Sequence, residues 1–71
     1  MDRRIIVLRY KGTDQIVIDV SEGFDVFKAM AEQEEIDNEG KMFIEDKDPY
    51  YILDFEDASY FYYFLSKFSK K

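Results

Sequence analysis

The chain has no cysteine, no histidine and no tryptophan, and its 71 residues include one proline and three glycines. Each absence removes a class of chemistry. Without cysteine there is no disulfide, thiolate metal ligand or thiol nucleophile. Without histidine the commonest general base and the commonest transition-metal ligand are gone. Ser21, Ser59, Ser66 and Ser69 therefore have no imidazole to activate them. The glycines are isolated, at positions 12, 23 and 40, so no glycine-rich loop is present to cradle a phosphate. After Met1-Asp2-Arg3-Arg4 only Ile5 to Leu8 are apolar, too short a run for a signal-peptide core or a membrane span. The expectations are no catalytic residues, no metal site, no cofactor, no membrane partner and a cytoplasmic location.

What is abundant is large apolar side chains: seven Phe, seven Ile and six Tyr, with four Val. The length suits one domain, residues 1–71, and a domain this small needs bulky residues to bury enough area.

Carboxylates are the other abundant class, sixteen against ten Lys and Arg, for a net charge of −6. The charge is polarised. Residues 1–11 sum to +3 and residues 58–71 to +3, whereas residues 12–57 sum to −12, and the three add to −6. Such asymmetry bears on partners and steering rather than on fold.

Periodicity divides the chain into six elements. Arg3–Tyr10 is rich in β-branched residues and reads as a strand. Lys11-Gly12-Thr13-Asp14 supplies turn chemistry, and Gln15–Val20 alternates as a second strand. Ser21 is the expected N-cap of a first helix, whose apolar residues Phe24, Phe27, Met30 and Ala31 recur at helical spacing up to about Glu35. Lys41–Glu45 and Tyr50–Phe55 read as strands around an Asp46–Pro49 turn, and Asp57 as the N-cap of a last helix from Ala58 to about Ser69. The expected fold is α+β, ββαββα, a four-stranded mainly antiparallel sheet with both helices on one face.

Two features point to binding. Cations stabilise helix C-termini, each by about 0.3–1 kcal/mol, yet the end and exit of the first helix carry Glu32, Glu34, Glu35, Asp37 and Glu39 with no cation among them. Glu45, Asp46 and Asp48 follow. Asp46-Lys47-Asp48 opens like a calcium loop, but Tyr50 and Tyr51 stand where an oxygen ligand and a glycine are needed. These eight carboxylates are the expected partner-binding surface, suited to a protein with a basic face. The expected function is a small acidic protein-binding module, an inhibitor occupying a basic nucleic-acid-binding surface by phosphate mimicry. The cations Arg3, Arg4, Arg9 and Lys11 beside Tyr10 raise direct nucleic-acid binding, but phosphates would be repelled by the acidic whole.

The second feature is strands apolar on both faces. With Ile6, Leu8, Ile16, Ile18, Tyr51 and Leu53 turned to the helices, the other face shows Ile5, Val7, Val17, Phe43, Tyr50 and Ile52. A sheet covered on one side is ordinarily polar on the other. The alternative function is therefore a structural or assembly protein forming a homodimer through this face. Tyr62 and Tyr63 fall off the stripe of the last helix and are weaker interface candidates.

Overall fold

A computed structural model describes residues 3–68 of the chain. The element order is β1 (Arg4–Tyr10), β2 (Thr13–Val20), α1 (Phe24–Asp37), β3 (Met42–Lys47), β4 (Tyr50–Phe55) and α2 (Ala58–Phe68). Ser69, Lys70 and Lys71, expected at the end of the last helix, lie outside the described residues.

Each hairpin is antiparallel, β1 with β2 and β3 with β4, and the two join by a parallel pairing of β1 with β4. The strand order is β2-β1-β4-β3, so the sheet is mixed. The α1 crossover makes that central pairing possible, because parallel neighbours need a long connection between them. β1 and β4 are the buried central strands, whereas β2 and β3 are exposed edges.

Lys11 and Gly12 connect the first hairpin, both with positive φ, at 49° and 83°. This two-residue geometry matches the twist of antiparallel strands. A bulge between Leu8 and Arg9 then brings Asp14 opposite Arg9. The Asp48–Pro49 peptide in the second hairpin is cis.

The helices share one face of the sheet. Ile6, Leu8, Met42, Tyr51, Leu53 and Phe55 from the strands form one buried cluster with Ala31 of α1 and Tyr60, Phe61 and Phe64 of α2. Phe55 is its centre, with ring centroids of Phe64, Phe61 and Tyr60 at 5.1, 5.2 and 5.7 Å. Phe27 meets Phe64 edge-on at 6.4 Å and ties the helices together. Each fully buried large side chain contributes about 1.5–3 kcal/mol, which is how so short a chain sustains a core.

The cap of α1 differs from expectation. Gly23, at φ 77°, occupies the N-cap and no side chain caps the helix, so Ser21 lies two residues outside it. The cap of α2 is as expected: Asp57 Oδ1 accepts from the Tyr60 amide at 2.9 Å. Tyr60 of α2 is buried, whereas Tyr62 and Tyr63 are exposed.

Candidate functional site

The eight expected partner-binding carboxylates fall into four places. Glu34 turns inward, its side chain only 13% exposed. It forms an ion pair with Lys67 of α2 and accepts a hydrogen bond from the Tyr60 hydroxyl at 2.9 Å and from the Asn38 amide at 3.2 Å. The Lys67 ammonium holds its carboxyl below the ordinary value, against the opposing effect of burial, and the Tyr60 hydroxyl helps.

α1 itself has no basic residue in its last turn, as the sequence indicates. The dipole is nonetheless partly answered from α2, because Lys67 reaches Glu34 across the helix pair. Asn38 completes the repair by donating its side-chain amide to the Glu34 carbonyl at 3.1 Å. The unfavourable end is therefore less costly than the sequence implies.

Glu32, Glu35, Asp37 and Glu39 surround the exit of α1. Glu32 pairs loosely with Lys28 at 3.8 Å, and Asp37 accepts from the Gln33 side chain at 3.0 Å. Glu35 Oε2 accepts from the Ile44 backbone amide of β3 at 3.1 Å. That bond occupies an amide that the edge strand would otherwise present to another chain. Glu39 has no polar partner among the described residues.

A cleft of about 360 Å³ lies here between the end of α1 and β3, lined by Glu35, Ile36, Glu39, Gly40, Met42 and Phe43. Ile36 is 71% exposed and Phe43 is also exposed. The site is thus two apolar side chains set among carboxylates. Ile36 interrupts the acidic run, and its exposure follows from its place on the outer side of α1, a signal that the sequence carries but that the charge pattern hides.

Asp46 and Asp48 sit at the far end of β3, held by Arg4 at 2.6 and 3.5 Å. The Arg4 guanidinium also lies 4.3 Å from the Phe24 ring centroid and donates to the Pro49 carbonyl at 3.3 Å. Arg4, Phe24, Lys28 and Asp48 help line a second, more open cleft of about 710 Å³ beside the start of α1. Charges of both signs face it, so it favours neither. Glu45 lies on the uncovered face of the sheet and pairs with Lys47 at 3.3 Å.

Tyr51 sits beneath α1, fully buried, and its hydroxyl has no hydrogen-bond partner among the described residues. Burial pushes its ionisation up to about 12, and the nearby charges of Glu32, Asp46 and Glu35 add to the effect.

The six residues expected to self-associate do share the face opposite the helices. Val7 and Ile52 are nearly buried there, at 5% and 8% exposure, since each lies mid-strand in a central position with neighbours on both sides. Ile5 is half-buried, and Val17, Phe43 and Tyr50 are exposed. Among the described residues no group of three or more carboxylates is arranged to hold a metal ion, and no helix is long and apolar enough to cross a membrane. Comparison with known proteins finds no matching protein family, curated relative or solved structure.

Proposed function

We propose that the chain is a protein-binding module whose acidic cleft between α1 and β3 receives a basic segment of another protein. The observation that carries this reading is the pairing of exposed Ile36 and Phe43 with Glu35 and Glu39 around one concavity, Glu32 and Asp37 belonging to the same end of α1. Apolar anchors within a charged rim are the anatomy of a docking site, the anchors supplying affinity and the rim supplying rate and selectivity. A solubilising surface has no need of the anchors.

The partner's segment carries Lys or Arg together with apolar side chains. Nucleic-acid-binding surfaces have that composition, and occupying one with carboxylates in place of phosphates would make this protein an inhibitor. Asp46 and Asp48 contribute less than the α1 exit in this reading, because Arg4 offsets part of their charge.

The experiment uses two basic peptides of equal charge, one alternating Arg with Leu and one alternating Arg with Ser. The Arg/Leu peptide is expected to bind about tenfold more tightly, a difference of roughly 1.4 kcal/mol. Ile36→Ser is expected to erase that preference, and the triple reversal Glu32→Lys, Glu35→Lys, Glu39→Lys to abolish binding of both. Equal affinity of the wild type for the two peptides would reduce the cleft to a charged surface and refute the reading.

A further inference from the structure

Both helices cover one face of the sheet, and nothing among the described residues covers the other. The strand registers define three rows of side chains across that open face. The first row, from β2 to β3, is Asp19, Ile5, Tyr50 and Lys47. The second is Val17, Val7, Ile52 and Glu45. The third is Asp14, Arg9, Asp54 and Phe43.

Two copies can stack these faces about a two-fold axis in only two simple ways. An axis across the strands keeps the strand order and reverses the rows. It sets Asp19 over the partner's Asp14, Glu45 over the partner's Glu45 and Ile5 over the partner's Arg9, so like charges and unlike surfaces meet. An axis along the strands, between β1 and β4, keeps the rows and reverses the strand order. It sets Asp19 over the partner's Lys47, Arg9 over the partner's Asp54, Ile5 over the partner's Tyr50 and Val7 over the partner's Ile52. Opposite charges then meet in the first and third rows, twice over by symmetry, while Val17 falls over the partner's Glu45 and Asp14 over the partner's Phe43.

We propose that the open sheet face is the contact of a homodimer built on the axis along the strands, with a second copy of this chain as its occupant. The flanking ion pairs suit this arrangement. Asp19 also holds Arg3, and Lys47 also holds Glu45 of the second row, so each charge that meets the partner stands beside an opposite charge of its own chain. Arg9 holds Asp14 at 2.7 Å and feels the charges of Asp54 and Glu45, which leaves its row alternating.

The dimensions fit. Stacked sheets lie about 10 Å apart with strands crossing at about 30°, which shifts the edge strands by roughly half a row, within reach of a lysine side chain. Four strands of about six residues give a face roughly 19 by 20 Å, so the contact covers about 800 Å² in total. That is below the usual size of a stable, specific interface, and the dimer is accordingly a weak one whose population depends on concentration. The helices lie on the outside of such a pair, whereas Phe43 belongs both to the third row and to the lining of the α1–β3 cleft, so the dimer covers that cleft at its β3 edge. The inference does not rest on the partner proposed above.

Sedimentation equilibrium over a wide concentration range at low salt tests it. Wild type is expected to pass from one chain to two. Asp19→Lys and Lys47→Asp are each expected to weaken the dimer by about tenfold, and the double variant to return to within about threefold of wild type. Val17 lies over the partner's Glu45 and is itself exposed, so Val17→Lys is expected to tighten association while Val17→Asp loosens it. Simple loss of an apolar contact would weaken both. A wild type that stays a single chain at every concentration overturns the proposal. So does a double variant no better than the single ones, which would place the contact elsewhere.

Discussion

Tyr51 carries the least favourable polar atom in the molecule. Its ring fills the space under α1, edge-on to Phe24 at 5.2 Å and Phe27 at 6.1 Å, yet its buried hydroxyl meets no acceptor or donor among the described residues. Burying a hydroxyl unpaired costs free energy that a phenyl ring does not lose. Tyr51→Phe is therefore expected to stabilise the fold by about 1 kcal/mol in denaturant titration. The same burial fixes a pH limit. The folded state favours the neutral phenol, so the stability tied to this group is complete below its ordinary value of 10 and is lost as pH rises towards about 12. Burial, together with the Glu34 carboxylate, raises Tyr60 further still. Phenolate absorbance is expected to show Tyr51 and Tyr60 ionising last, together with unfolding, and in Tyr51→Phe the alkaline loss should be shallower.

Glu34 has the opposite sign. Its folded carboxyl is held below the ordinary 4.5, chiefly by Lys67. Its contribution is present above that ordinary value and disappears as pH falls through the depressed one. Glu34→Gln is expected to cost about 1–2 kcal/mol at pH 7, from the loss of charge-assisted bonds. The gap between variant and wild type should close as the solution is acidified below 4.5. A gap that is unchanged at acid pH would mean that shape rather than charge is what the variant loses.

At the scale of elements, turns and caps decide where the strands and helices begin. Gly12 stands at φ 83° with open space where a side chain would point, so Gly12→Ala brings backbone strain and no clash. The expected cost is about 1 kcal/mol, and Lys11→Asn, which eases the neighbouring positive φ, is expected to recover a few tenths. Asp57→Ala removes the one acceptor for the Tyr60 amide at the start of α2 and should cost about 1 kcal/mol in thermal unfolding.

Elements of this kind are legible in a sequence because their causes are local. The apolar runs of β1 and β4, the alternation of Gln15–Val20, the Lys11-Gly12 turn, the Asp57 cap and the Phe61/Phe64/Leu65 spacing in α2 all follow from neighbours within a few residues. The parallel pairing of β1 with β4 joins strands some 45 residues apart, as in Ile5 opposite Tyr50, and no local pattern encodes it. The cap of α1 misleads for another reason. Ser21 has the right chemistry, but the left-handed Gly23 turns the chain later and leaves the serine outside. The site was half visible in the same way. The carboxylates could be read as a group, but the withdrawal of Glu34 could not, since its partner Lys67 is 33 residues away and on another helix.

For the whole molecule, the polarised charge becomes a geometric statement. The arginines in and just before β1 are paired with carboxylates of the edge strands and the β3–β4 turn: Arg3 with Asp19, Arg4 with Asp46 and Asp48, Arg9 with Asp14. The exit of α1 keeps much of its negative charge, with Glu34 paired to Lys67 and Glu32 to Lys28. Solvent-exposed charge of one sign beside a cleft steers an oppositely charged partner over about a Debye length, roughly 10 Å at 0.1 M salt. Association of a basic partner is therefore expected to slow steeply with added salt while dissociation changes little, which stopped-flow measurement separates.

The most direct test of the central claim is to locate the contact. Amide chemical shifts of the 15N-labelled protein, followed while the Arg/Leu peptide is added, report every backbone position at once. Perturbations are expected to concentrate between Glu32 and Ile44, around Ile36 and Phe43, and to leave β2 and the outer residues Tyr62 and Tyr63 unmoved. Shifts spread evenly over all acidic residues, or gathered at Asp46 and Asp48 instead, would contradict the claim that the α1–β3 cleft is where this protein meets its partner.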